Sequence, residues 1–246
     1  MKIVIPSYKR ADSLVTLKWA TGAIVVIPES QEEEYRQKNP EANIQTIPDK
    51  KDGNISKKRN AVLDLYPGED VIMLDDDIKW VGYHEGGAHH KVDWEYFCLF
   101  AENMFQMCKE AGTIMWGVNL LIDPRMYREY CPFSFTNVVL GPFTAIRNID
   151  PKIRYSVDLH MNEDYDMAIE VLRKYRKILR NNKWVYNCGH ITTPGGLSSV
   201  RNYDLEMLQN SKLVKKWGSK IVDLERKTQG GNETINPKVR VPIKGV

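Results

Sequence analysis

The sequence predicts an α/β protein, a mainly parallel central sheet covered by helices on both faces. Three observations carry this. Short runs at residues 2–6, 23–27 and 71–74 are almost wholly apolar, as strands buried on both faces must be. Segments of helical period alternate with them, the pattern of crossover-connected parallel strands. The composition, 42% apolar and 27% charged, is that of an ordinary globular chain, and a length of 246 residues buries roughly 70–75% of the unfolded surface, enough for a core without disulfide staples.

Taken in order, residues 2–6 form a strand stopped by Pro6, and Asp12 or Ser13 supplies the short side-chain oxygen that caps a helix through Trp19. Residues 23–27 are a second strand, 31–38 a polar helix and 44–47 a third short strand. A helix over 56–66 ends at Pro67 and Gly68, and 71–74 is the fourth strand. Residues 94–111 read as a helix whose stripe of Phe97, Phe100, Ala101, Met104 and Met107 or Cys108 faces the core. Strands are predicted over 114–122 and 138–146, a helix over 163–179, a loop over 192–199, and one or two helices over 204–224. Residues 229–246 read as a tail, and His89 and His90 as part of a glycine-flanked loop without function.

Several function classes fall away. The longest apolar stretches are far too short to cross a bilayer, and the strand at residues 3–5, with no small-residue cleavage site behind it, predicts no secretory signal. Cys98, Cys108, Cys131 and Cys188 form no CxxC pair and read as reduced thiols of a cytoplasmic protein. The net charge is only +3, yet residues 173–183 hold six basic side chains and no acid, and residues 201–246 hold ten basic against five acidic. That asymmetry permits a polyanionic partner, and equally describes a solvated helix face and a basic tail.

In open sheets of this kind ligands sit beyond the carboxyl ends of the strands. The fourth strand ends in Asp75, Asp76 and Asp77. Three adjacent acids repel one another unless solvent or a cation compensates. Strand alternation puts Asp75 and Asp77 on one face and Asp76 on the other, and two carboxylates there suit a hard divalent cation, Mg²⁺ or Mn²⁺. A second acidic group, Glu163, Asp164 and Asp166, opens the helix over 163–179. Helical spacing places Asp164 in the inward stripe and the other two outside it, which fits either a helix cap or a general base aimed into a cleft. His190, in the segment from Cys188 to Gly196, becomes a metal-ligand candidate beside such acids, and Gly195 with Gly196 permits close backbone approach to a phosphate.

These segments, in this order, resemble a family-2 type glycosyltransferase of the GT-A fold, over roughly residues 1–200. The carriers are residues 3–10 (Ile-Val-Ile-Pro-Ser-Tyr-Lys-Arg), 53–60 (Gly-Asn-Ile-Ser-Lys-Lys-Arg-Asn), 74–77 (Leu-Asp-Asp-Asp), 141–147, the pair Glu163 and Asp164, and His190. More narrowly, the chain is similar to the TET-associated glycosyltransferases of bacteriophages, which are associated with glycosylating hydroxymethylated pyrimidines in DNA. The resemblance implies a single Rossmann-like GT-A domain over 1–200, with a nucleotide-sugar half at 1–80 and an acceptor half at 81–200. Residues 201–246 would be a C-terminal helical extension and basic tail.

It further implies a nucleoside-diphosphate sugar, a UDP-sugar, as donor. Pro6, Ser7 and Tyr8 would contact base or ribose. Arg10 and Lys58 or Arg59 would neutralise diphosphate or ribose-side contacts, with Asn60 a partner. Asp77 would ligate Mn²⁺ or Mg²⁺ with His190, and Asp75 would hold ribose or a metal-bound water. Asp76 leaves the register of the acid motif open. Asp164 would be the base of an inverting displacement, Glu163 or Asp166 the fallback. A double-stranded DNA acceptor carrying 5-hydroxymethylcytosine would meet the cations of 173–183 and 212–244, with Trp184, Tyr186 and Trp217 for stacking unless they belong to the core. The setting would be the host cytoplasm for a phage-encoded protein. Two rivals stand beside this reading, a polysaccharide or lipid-linked sugar as acceptor and a non-catalytic nucleic-acid-binding module.

Overall fold

The structure, a computed structural model, describes residues 1–189, 203–229 and 232–240. Strands β1 (Lys2–Pro6), β2 (Ile24–Pro28), β3 (Asn43–Ile47) and β4 (Asp70–Leu74) alternate with helices α1 (Glu32–Lys38) and α2 (Ile55–Leu65). A hairpin follows, β5 (Ile78–Glu85) and β6 (Ala88–Lys91), then helix α3 (Trp94–Glu110). The second half holds β7 (Met115–Asn119), the two-residue β8 (Phe133–Ser134), β9 (Phe143–Arg147), α4 (Glu163–Tyr175) and β10 (Leu179–Cys188). Beyond them lie α5 (Tyr203–Trp217) and the strands β11 (Val222–Gln229) and β12 (Asn232–Val239).

Among the described residues, ten strands join one sheet in the order β3-β2-β1-β4-β9-β7-β10-β5-β6, with β8 beside β10. Strands β1 to β4, β6, β7 and β10 run one way, and β5, β8 and β9 run against them. The predicted mainly parallel α/β class therefore holds. Both faces are covered. On one, Ile3, Ile5, Val25, Ile72 and Leu74 pack with Tyr35 of α1 and with Phe97, Ala101, Met104 and Cys108 of α3. On the other, Val4, Val26, Val71 and Met73 meet Ala61 to Leu63 of α2 and Met167, Ala168, Val171 and Leu172 of α4. This double burial is why β2 is apolar throughout and β1 and β4 are apolar after their first residues, Lys2 and Asp70, whereas the edge strand β3 alternates.

Several expected elements differ. The helix expected over 12–19 is a 3-10 turn at Thr16–Lys18 with no side-chain cap; its polar groups are drawn toward the acids after β4. The strands expected over 114–122 and 138–146 shrink to β7 and β9. α4 stops at Tyr175, where Arg176 takes a left-handed conformation (φ 66°). Ile178 and Leu179 stay buried, but on the way into β10, so their apolar period does not mark helix. Helix over 204–224 ends at Trp217, and part of the expected tail is the β11–β12 hairpin, a separate two-stranded sheet with Val222 opposite Val239. A short polar hairpin carries almost no period-2 signal, and Pro237 is tolerated because each of its strands is an edge. His89 and His90 lie on β6, stacked on Trp80 and Tyr83 of β5. The connecting turn is made by Gly86 and Gly87, both at positive φ (57° and 76°).

No disulfide joins any of the four cysteines. Among the described residues no helix is long and apolar enough to cross a membrane.

Candidate active site

β4 ends at Leu74, so Asp75, Asp76 and Asp77 lie in a turn beyond the ladder rather than on the strand. The expected alternation of faces does not reach them. Instead the acids are divided between two arginines. Arg10 Nη1 lies 2.6 Å from Asp76 Oδ1 and 3.9 Å from Asp77 Oδ2, while Arg59 Nη2 lies 3.0 Å from Asp75 Oδ1. Asp76 is buried, and Ser7 Oγ donates to its second oxygen at 2.6 Å. Ser7 has one hydroxyl proton, so Tyr35 supplies the proton of the 2.8 Å bond between their oxygens.

The turn is anchored from outside. Thr16 Oγ1 donates to the carbonyl of Asp75 (2.6 Å) and accepts from the N–H of Ile78 (2.8 Å), and the Thr16 N–H reaches the carbonyl of Asp76 at 3.1 Å. Trp19 Nε1 donates to the carbonyl of Ile78. These bonds explain why residues 16–19 make a tight turn instead of a longer helix.

Arg59 joins this turn to the start of α4. Its guanidinium is buried and donates to Glu163 Oε1 (2.8 Å), Asp75 Oδ1 (3.0 Å) and the carbonyl of Gly141 (2.8 Å), with its plane over the Tyr155 ring. Burial disfavours its charge, but Asp75 and Glu163 outweigh that and hold it above its ordinary value. Gly141 turns its N–H to Asp164 Oδ2 at 3.0 Å. A Cβ at Gly141 would stand 3.2 Å from that oxygen and 3.6 Å from Arg59 Nη2. The close approach is the reason for glycine here.

The inward-stripe calculation for α4 is corrected: Glu163 and Asp166 are buried, and Asp164 is half-buried. Helical spacing orders residues around one axis, but here both sides of the first turn are covered by other chain. Glu163 is tied to Arg59, and Asp166 to Lys216 (2.8 Å) and Trp217 Nε1 (2.7 Å). Among the described residues, Asp164 accepts only from backbone N–H groups, those of Gly141 and Tyr165. Burial raises its carboxyl above the usual range. Among the described residues, it is the one of the three acids that no side-chain cation pairs directly, the condition of a usable base.

β10 closes the same region. Burial pushes the Tyr186 hydroxyl well up, reinforced by the charges of Cys188, Asp75 and Asp164. Burial and then Asp77 and Asp75 push the Cys188 thiol to about 12. Acids from residues 75–77 and 163–164 thus face one rim of the sheet.

Lys58 is buried and donates to the carbonyl of Ser7, with Asp52 at 3.1 Å; burial lowers its pKa. The half-exposed Tyr8 ring has Lys58 and Lys9 ammonium groups within 5.0 and 5.3 Å of its centroid. Pro6 ends β1 beside Val26. Asn60 exchanges two 2.8 Å bonds with the backbone of Tyr155 and so shapes the loop before α4. His190, Gly195 and Gly196 lie outside the described residues. Trp184 and Tyr186 are buried, Trp184 against Phe100, and Trp217 is spent on Asp166, so these rings do not serve as open stacking platforms. Arg173 and Lys174, with Lys152, Arg154 and Glu170, line a cavity of about 360 Å³.

The turn fits a divalent cation in part. Burial and repulsion from Asp75 and Asp76 raise Asp77 to about 6, and its arginine is 3.9 Å away. An added cation would relieve that charge. Among the described residues no three His, Cys, Asp or Glu side chains converge as a closed metal cage. An oxygen-liganded ion here would take Asp77, with Asp75 nearby, and draw on phosphates and water, as magnesium-type sites do.

Sequence reasoning passed over Thr16, Tyr35, Gly141 and Tyr155. Only Gly141 carried a signal, as the first residue of the 141–147 segment.

Comparison with known proteins gives one family. The model described as TET-Associated Glycosyltransferase matches residues 1–196. No curated protein matches by sequence. Among solved structures, one described only as a mycobacterial protein aligns with a TM-score of 0.52 at 11% identity, over 97% of this chain and 82% of its own. The mannosyltransferase PcManGT from Pyrobaculum calidifontis, in complex with GDP-Man and Mn²⁺, aligns with a TM-score of 0.57 at 12% identity. That alignment covers 87% of this chain and 64% of the mannosyltransferase, so the chain spans under two thirds of it. At such identities the likeness is one of fold, the GT-A fold.

Proposed function

This chain belongs to the TET-associated glycosyltransferase family, and from that premise we propose that it moves a sugar from a nucleoside-diphosphate donor to a hydroxyl on a modified DNA base, such as 5-hydroxymethylcytosine in a duplex. UDP-sugars are the first donors to test. The observation that carries the reading is the Arg59 junction, which ties Asp75 at the end of β4 to Glu163 and, through Gly141, to Asp164 on α4. A donor site and a base belong together in a transferase, and this junction binds them into one unit. The GDP-Man and Mn²⁺ in the mannosyltransferase structure support a nucleotide-sugar donor and a Mn²⁺ or Mg²⁺ ion here. Four cysteines outside any disulfide support a cytoplasmic setting.

In the reaction, the ionised Asp164 takes the proton of the acceptor hydroxyl. The oxygen attacks the anomeric carbon, the bond to the diphosphate oxygen breaks, and the electron pair leaves with the diphosphate. One displacement inverts the anomeric configuration. Asp77 and Asp75 would hold the ion, with His190 as the further ligand that the family resemblance implies, and the ion when bound stabilises charge on the leaving group. Lys9 and Lys58 flank the Tyr8 ring, where the nucleotide would lie, and Arg10 beside Asp76 would meet the diphosphate. The cations around the 360 Å³ cavity, with the exposed Lys212 and Lys215 of α5, would meet DNA phosphates.

The test is transfer of labelled sugar from a panel of nucleotide-sugars to hydroxymethylated and plain duplex DNA. Mn²⁺-dependent labelling of the hydroxymethylated duplex alone is the expected result. Equal labelling of both, or of neither, overturns this acceptor.

A further inference from the structure

The family match ends at residue 196, and α5 begins at Tyr203. We propose that the segment beyond the match positions the catalytic acid by clamping the first turn of α4. The proposal rests on reading Asp164 as the base. Three hydrogen bonds between α5 and the start of α4 carry it. Asn162, the residue that precedes α4, donates Nδ2 to Asn210 Oδ1 at 2.9 Å instead of capping its own helix. Asp166, fully buried, accepts from Lys216 Nζ (2.8 Å) and from Trp217 Nε1 (2.7 Å). Asn210 in turn donates to the carbonyl of Ile235 at 3.0 Å, so the hairpin backs the clamp.

Residues 162 and 166 are four apart and share one side of the turn. Residue 164 lies about 200° around the axis from 162, on the far side. α5 therefore grips the turn opposite Asp164, while Gly141 holds Asp164 itself at 3.0 Å. Grip and aim lie on opposite sides of one axis, so the clamp fixes the rotation of the helix and hence the direction of the carboxylate. A buried cluster of Leu159, Ile169, Leu213 and Val222 seals the same contact. Asp166 is a charged group that burial would expel from the interface if Lys216 and Trp217 did not meet it. Its presence makes the docking of α5 specific in register rather than merely apolar. Lys216 and Trp217 touch no group assigned to donor, acceptor or ion, so they are positioning residues.

The test uses the full-length chain carrying Lys216→Met, Trp217→Phe and both together, with Asp164→Asn as reference. Amide hydrogen exchange needs no substrate. The double variant should speed exchange about tenfold in the peptide spanning 160–168 and leave peptides of β1 to β4 unchanged. With the donor that the wild type turns over, kcat should fall about tenfold or more, since small misplacements of a reacting group are costly, while the donor KM stays within twofold. Trp217→Phe alone, which removes one hydrogen bond and keeps the ring, should show the same pattern more weakly and stands in if the double variant does not fold. Unchanged exchange over 160–168 overturns the clamp. So does faster exchange with kcat at the wild-type value. If Asp164→Asn turns over like the wild type, the reading of the base falls, while the exchange result still decides whether the clamp exists.

Discussion

The acids after β4 and the acids opening α4 meet the same electrostatic problem with different means. The first group sits in a turn, where Arg10 and Arg59 divide three carboxylates and leave Asp77 the least compensated. The second sits on a helix, where Glu163 goes to Arg59, Asp166 goes to α5, and Asp164, among the described residues, is held by backbone. In each group, among the described residues, one acid is compensated more weakly than its neighbours, Asp77 with Arg10 at 3.9 Å and Asp164 with backbone donors. The difference lies in what the exposed charge is suited to. A carboxylate among other carboxylates attracts a metal ion, whereas a solitary, partly desolvated carboxylate beside backbone donors is suited to taking a proton.

Arg59 belongs to both groups, so its loss is the sharpest way to break the comparison. Arg59→Met leaves Glu163 buried without its cation and Asp75 unpaired, and should cost about 3–5 kcal/mol of stability, as removal of one partner of a buried pair does. Chemical denaturation would measure it. A loss under about 1 kcal/mol would mean that the two groups are not coupled through this residue.

The next effect is on pH dependence. As the proposed base Asp164 must be ionised to act, and burial raises its pKa above the ordinary aspartate value of 3.8. Activity should therefore rise with pH through an acid limb lying above 3.8. Asp164→Asn should remove turnover at every pH. A limb that persists in a still active Asp164→Asn enzyme would assign the base elsewhere.

A smaller effect is expected at Gly141. An alanine Cβ 3.2 Å from Asp164 Oδ2 requires a shift of a few tenths of an ångström. Gly141→Ala should lower kcat by about tenfold with little change in melting temperature, because the backbone there has no positive φ to lose. Equal kcat in the two proteins would show that the aim of Asp164 tolerates displacement.

The donor half was largely legible in the sequence because its strands are buried on both faces and separated by helices, which leaves a continuous apolar signal in β1, β2 and β4. The three aspartates announced themselves by adjacency. Their division between Arg10 and Arg59 did not, since it is set by a turn beyond the strand and by residues sixteen to sixty-six positions away. The α4 acids were visible, but not which of them is exposed: Asp166 is buried by Trp217, fifty-one positions downstream. Strand β12 was read as tail because the hairpin is mostly polar, with Val222 and Ile235 its buried side chains among the described residues, too few to impose alternation.

The most direct test of the central claim is calorimetry of nucleoside diphosphate binding with and without Mn²⁺, on the wild type, Asp77→Ala and Asp164→Asn. Two acid groups with separate tasks predict Mn²⁺-dependent binding that Asp77→Ala abolishes and Asp164→Asn keeps. Binding that ignores Mn²⁺, or that both substitutions remove alike, would contradict it.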